Sequence, residues 1–341
     1  MSESTRHLVQ GFESESPQQQ RLALSKAITL VESKLPRHQE QANLLLHHLL
    51  LLPNEAQDRP SRSFRLGIAG PPGAGKSTLI EIFGMSLLKK KHADKLAVVC
   101  IDPSSTVTGG SILGDKTRMM ELSRNKHAYV RPSANGGTFG GLAAYTDDVV
   151  SLCKAANYDF VIVETVGLGQ SEVEISKSVD MMVLVLPPAG GDELQGVKKG
   201  IMEVADLIVV NKADGMLLPA ARRTAADYQA AAKFMRAAHE DWARPPVLLV
   251  SAETHDGLDE MWSKIEEFRQ IMTDNGYLEA KRKDQAHYWM WKNLQKLIEE
   301  RTKNNDDLKE TALEMQVRLD KGQITPRVAA IKLMDSLLRS K

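Results

Sequence analysis

Gly70-Pro-Pro-Gly-Ala-Gly-Lys-Ser77 is a glycine-rich turn that ends in a lysine and a hydroxyl, a combination suited to holding a polyphosphate. Gly73 and Gly75 let backbone N–H groups turn inward around phosphate oxygens, Lys76 neutralises them, and Ser77 offers its hydroxyl to Mg²⁺. Gly70, Ala74 and Thr78 complete the expected phosphate-contacting set. Asn211-Lys212-Ala-Asp214 can read a base, because the Asp214 carboxylate accepts from both the ring N–H and the exocyclic amine of guanine, and adenine presents neither donor there. Ser251-Ala252-Glu253 is expected to bring a backbone N–H to the guanine oxygen. The ligands implied are GTP and GDP.

Between these motifs stands Glu164-Thr-Val-Gly167. It occupies the place of an acidic D-x-x-G element, whose carboxylate reaches Mg²⁺ and whose glycine N–H senses a γ-phosphate. The acid here is Glu, and its extra methylene suits either contact through a metal-bound water or positioning of the attacking water. Leu168 follows where a water-orienting glutamine often stands, so that device is missing.

Each motif must be carried by a rigid element. Short apolar runs with little polar alternation precede them, at Phe64–Ala69, Leu96–Ile101, Phe160–Glu164, Met181–Leu186, Leu207–Val210 and Val247–Val250. Such runs read as strands buried on both faces, and the helical stretches between them predict an α/β fold with a mainly parallel central sheet flanked by helices. Ligands are then expected at the carboxyl ends of the strands, where all these motifs fall. Asp102 ends one run and precedes a Pro-Ser-Ser-Thr loop, a suitable place for a carboxylate to face a metal.

The chain has 341 residues, enough for one large or two ordinary domains at about 150 residues each. Residues 1–16 are polar and read as a disordered start. Residues 17–62 form a helical arm split at Pro36, with Leu24, Ala27, Ile28 and Val31 on one face, followed by a proline-containing linker. Residues 63–262 form the nucleotide-binding domain, and 263–341 a helical region. There Leu308, Ala312, Met315 and Leu319 share a stripe, and Thr325-Pro326 caps a last helix.

The 44 Lys+Arg and 44 Asp+Glu cancel, which argues against a nucleic-acid partner held by bulk charge. The most apolar run, Leu44–Leu52, is far shorter than the ~20 residues of a membrane span. Two cysteines, Cys100 and Cys153, supply neither a disulfide framework nor a four-thiolate zinc site. No membrane partner and a cytoplasmic location are expected.

Two longer strings, Val99-Cys-Ile-Asp-Pro-Ser-Ser-Thr-Val-Thr-Gly-Gly-Ser-Ile-Leu-Gly-Asp-Lys-Thr-Arg-Met119 and Pro187-Pro-Ala-Gly-Gly-Asp-Glu-Leu-Gln-Gly196, resemble the MeaB/ArgK G-protein chaperones of methylmalonyl-CoA mutase. The family includes the human protein behind the cobalamin A form of methylmalonic aciduria. The resemblance runs from about residue 20 to the C-terminus. It implies a P-loop GTPase of the signal-recognition-particle-like class, slow alone and stimulated by its mutase, that works as a homodimer through its C-terminal helices. Such a protein gates delivery of adenosylcobalamin from the adenosyltransferase and protects an adenosylcobalamin-dependent acyl-CoA mutase from inactivation.

By motif position, Asp102 and Asp115 are expected near Mg²⁺ with Ser77, and Glu164 in the second switch. The loop with Gly190, Gly191, Asp192, Glu193, Gln195 and Lys198 resembles the family's third switch, and its paired glycines suit a backbone that changes shape. The alternatives are a GTPase assembly factor for a metallocentre, a kinase, or a helical scaffold. Clustered Cys or His ligands would favour the first of these, and none is evident in the sequence.

Overall fold

The computed structural model describes residues 1–33, 35–51, 63–101, 119–132, 141–165, 171–188, 199–234, 239–304 and 306–339. It divides into two compact units, Met1–Gln285 and Ala286–Lys341.

In the first unit all six anticipated apolar runs are strands, β1 (Phe64–Ala69), β2 (Leu96–Ile101), β4 (Phe160–Thr165), β5 (Met181–Leu186), β6 (Leu207–Val210) and β7 (Val247–Leu249). The sheet has seven strands in the order β3-β2-β4-β1-β5-β6-β7, and every pairing is parallel. β3 (Ala128–Pro132) was not anticipated. It lies at the sheet edge and carries Arg131 and Pro132, which break the apolar run that marks the other strands.

Helices cover both faces, as a parallel sheet requires. Alternate strand residues pack on one side against α4 (Lys76–Lys89), through Leu79, Ile80, Phe83 and Leu87, and against the helix Leu258–Asp274, through Met261, Ile265, Phe268 and Met272. The other residues face the helix Gly141–Ala155 and the N-terminal arm.

The arm consists of α1 (Glu3–Glu13), α2 (Pro17–Val31) and α3 (Pro36–Leu51). The predicted face Leu24, Ala27, Ile28 and Val31 is buried. Residues 3–13 form a helix rather than the disordered start read from their polar composition. The Ser2 side chain accepts from the Thr5 N–H as an N-cap, and Leu8, Val9 and Phe12 bury one stripe. Arg131 of β3 ties the arm down, with its guanidinium 2.7 Å from Glu32 and donating to the Ser25 carbonyl.

A buried ion network sits at the amino-terminal edge of the sheet. Asp180, fully buried just before β5, accepts from the Arg65 backbone N–H at 2.9 Å and from the guanidiniums of Arg65 and Arg282, each as close as 2.6 Å. Burial alone would raise its pKa, but the hydrogen bonds and charges of Arg282 and Arg65 hold the carboxyl well below the usual carboxylate range. Charges inside otherwise apolar runs need such partners.

In the second unit, Leu308 and Met315 of the predicted stripe are buried, Ala312 and Leu319 are half-buried, and the helices Asp306–Asp320 and Pro326–Arg339 contact each other. The Thr325 hydroxyl caps the last helix by accepting from the Val328 N–H. A different apolar set is exposed, namely Met290, Trp291, Leu294 and Leu297 on the helix Tyr277–Asn304, and Leu313 and Val317 on the next. Among the described residues no helix is long and apolar enough to cross a membrane.

Candidate nucleotide-binding site

β1 ends at Ala69, and the chain turns through Gly70–Gly75 into the amino terminus of α4. Gly70 has φ +155°, and a Cβ there would lie 2.0 Å from the Val185 carbonyl oxygen of β5, so the turn tolerates only glycine. Gly75 has φ +84°, and its Cβ would lie 2.6 Å from Asn211 Nδ2. The loop therefore rests on β5 and on the base-reading motif at once. Lys76 Nζ donates to the Gly70 and Pro71 carbonyls at 2.8 and 3.1 Å, holding its charge at the mouth of the loop beside the positive end of the α4 dipole. Thr78 is exposed on the first turn of α4.

Asn211 follows β6 and is almost completely buried. Its Nδ2 donates to the Ala74 carbonyl at 2.9 Å and, at a longer 3.4 Å, to that of Gly75. Its Oδ1 accepts from the Ala252 N–H, one of the candidate donors to a guanine oxygen, at 3.3 Å. Lys212, at φ +57°, reaches back so that Nζ donates to the Gly73 carbonyl at 2.8 Å. Buried Ser251 donates its hydroxyl to Asp214 Oδ2 at 2.5 Å and accepts from the Thr254 N–H at 3.0 Å, which fixes the carboxylate's orientation. Glu253 is exposed.

Glu164, near the end of β4, is 2 % exposed, and its Oε1 accepts from the Ser77 hydroxyl at 2.8 Å. A hydroxyl and a carboxylate side by side are hard oxygen donors of the kind Mg²⁺ takes beside substrate phosphates, so these two residues fit that ion. Asp102, Asp115, Gly167, Leu168, Gly190, Gly191, Asp192, Glu193, Gln195 and Lys198 lie outside the described residues.

Sequence reasoning missed the bracing role of Asn211 and the neighbour of Glu164 on β2, Cys100, whose thiol donates to Oε2 at 3.4 Å. The signal for the second was the matching position of both residues near the ends of their runs. Cys153 belongs to the opposite face of the sheet, where burial pushes its thiol up to about 12. No group of three or more His, Cys, Asp or Glu side chains poised for a metal occurs among the described residues.

Phosphate loop, base-reading strand ends and acidic strand end thus form one hydrogen-bonded unit at the carboxyl edge of a parallel sheet, and this architecture defines a P-loop GTPase. The family model described as methylmalonyl Co-A mutase-associated GTPase MeaB matches residues 24–307. The chain belongs to that family.

Among its relatives, a mouse protein named methylmalonic aciduria type A homolog, mitochondrial, is 46 % identical over 318 residues, which cover 92 % of this chain and 76 % of the mouse one. The GTPase ArgK of Escherichia coli K12 is 39 % identical over 335 residues, covering 98 % and 96 %. A crystal structure described as LAO/AO transport system kinase superposes with a TM-score of 0.73 at 32 % identity and covers 99 % of each chain.

Proposed function

We propose that this GTPase is a chaperone of an adenosylcobalamin-dependent acyl-CoA mutase, methylmalonyl-CoA mutase in the first instance. It gates cofactor loading from the adenosyltransferase, protects the mutase from inactivation, and works in the cytoplasm. The observation that carries this reading is the joined phosphate loop and guanine pocket in a chain of the mutase-associated family.

In the proposed cycle Asp214, oriented by Ser251, accepts from guanine, and Lys76 leaves the Gly70 and Pro71 carbonyls for the β- and γ-phosphates. Ser77, Glu164, Asp102 and Asp115 would hold Mg²⁺, which when bound neutralises charge on the phosphate oxygens. Gly167 and the Gly190–Lys198 loop respond to the γ-phosphate and pass that state to the mutase. With Leu168 in place of a water-orienting side chain, hydrolysis is slow alone, well below one turnover per second, and the mutase accelerates it.

We further propose a homodimer formed by the C-terminal helices. The exposed Met290, Trp291, Leu294 and Leu297, spaced along one helix, support it beside the stripe Leu308, Ala312, Met315 and Leu319, of which Leu308 and Met315 are already buried in the single chain.

The test is GTP turnover by the purified chain with and without methylmalonyl-CoA mutase, alongside retention of the mutase from native extract on the chain loaded with a non-hydrolysable GTP analogue. Faster turnover and mutase retention are expected; a fast isolated enzyme indifferent to the mutase overturns the reading. The description of the structural relative as a kinase supports a second reading, phosphate transfer to an acceptor. GTP labelled at the γ-phosphate separates the two, since hydrolysis releases all label as inorganic phosphate.

A further inference from the structure

Glu164 is a carboxylate inside a sheet. In register it lies between Ile68 of β1 and Cys100 of β2, and register partners in a parallel sheet project to the same face. Ile68 offers no donor. The Cys100 thiol, 1 % exposed, lies 3.4 Å from Oε2, within the ordinary range for a sulfur donor, while Ser77 donates to Oε1 at 2.8 Å. The two oxygens of one carboxylate are thus engaged from two directions, by a helix above and by a strand alongside.

That arrangement controls a soft coordinate. The terminal torsion of a glutamate is a broad sp³–sp² rotation with no sharp wells, so the carboxylate plane is set by its partners rather than by its own rotamer. A buried carboxylate also loses heavily when a donor is removed.

We infer that Cys100 is a positioning residue, whose thiol fixes Oε2 of Glu164 and thereby turns Oε1 toward Ser77 and the Mg²⁺ position. This rests on the proposed metal-facing role of Glu164. Its origin is the strand register, since β2 and β4 place positions 100 and 164 side by side whatever the adjoining loops do.

Cys100→Val removes the donor at similar volume, and Cys100→Ser restores a donor, so the pair separates hydrogen bonding from packing. The first readout is the Mg²⁺ concentration that half-maximally slows release of a fluorescent GDP from the full chain, with GDP affinity in EDTA as the check that the site is folded. Cys100→Val is expected to raise the Mg²⁺ midpoint about 3- to 10-fold, less than a strong outer-shell donor would because a thiol donates weakly, with GDP affinity in EDTA unchanged. Cys100→Ser is expected within about twofold of the parent protein.

The second readout needs no metal. The infrared S–H stretch of Cys100, assigned by its loss in Cys100→Val, should lie below the free-thiol position and move up in Glu164→Ala. An S–H band unmoved by Glu164→Ala overturns the contact. A parental midpoint in Cys100→Val beside a raised one in Glu164→Ala overturns the role of Cys100 alone, whereas a parental midpoint in Glu164→Ala overturns the metal-facing reading of Glu164 itself.

Discussion

Asn211→Ala tests whether the base motif braces the phosphate loop. Asn211 touches both halves of the site, with Nδ2 on the Ala74 carbonyl at 2.9 Å and Oδ1 on the Ala252 N–H at 3.3 Å. Alanine leaves both buried backbone groups without that partner, and an unmade bond to a buried group costs about 1–3 kcal/mol. The Ala252 contact is long, so its share falls at the low end, about 1 kcal/mol, and the total is about 2–4 kcal/mol. A loop released from Asn211 must be reordered by its ligand, so the cost passes into binding. At 1.4 kcal/mol per tenfold, GDP should bind about 30- to 700-fold more weakly.

The discriminating ligand is inorganic pyrophosphate, which has no base. If Asn211 acts through the loop, calorimetry will show pyrophosphate weakened along with GDP. Should Asn211→Ala weaken GDP and leave pyrophosphate binding intact, the bracing argument is wrong and the residue serves the base alone. Asn211→Asp keeps the acceptor for Ala252 but turns an oxygen toward the Ala74 carbonyl, and should be at least as damaging.

Asp214→Asn should move preference from guanine toward xanthine nucleotides, because an amide can donate to the oxo group that replaces guanine's amine; competition binding with GDP and XDP reads this directly. Arg282→Ala should destabilise the chain by about 2–4 kcal/mol at pH 7, Arg65 retaining part of the pair with Asp180. Because the folded carboxyl of Asp180 is held low, its contribution is complete above the unfolded value near ~3.9 and fades progressively as pH falls from there through the folded one, so the stability gap between parent and variant in denaturant titrations should begin to narrow below about pH 4. Leu297→Glu places a charge in the exposed stripe and should turn the proposed dimer into a monomer at micromolar concentration by light scattering, with the GDP affinity of the parent; a parent chain that is itself monomeric refutes the dimer.

The amino-acid sequence determined by itself what is local. A glycine-rich turn between an apolar run and a helix is a phosphate loop because its dihedral and charge requirements lie within eight neighbouring residues, and Asn211–Asp214 keeps its donor and acceptor types wherever the strand ends. Runs such as Met181–Leu186 declare themselves as strands because a parallel sheet buries both faces and leaves no polar alternation.

Where a local signal was diluted, the reading failed. Arg131 and Pro132 hid β3, and the many polar residues of 1–16 hid the stripe of Leu8, Val9 and Phe12. Tertiary structure alone decided the strand order. It places β4 between β2 and β1, so that Glu164 meets Ser77 and Cys100, and sets β6 where Asn211 can reach Ala74. Those contacts join residues 64 to 137 positions apart. Their geometry comes from interstrand register and from the packing of α4 on the sheet, and no spacing along the chain encodes either.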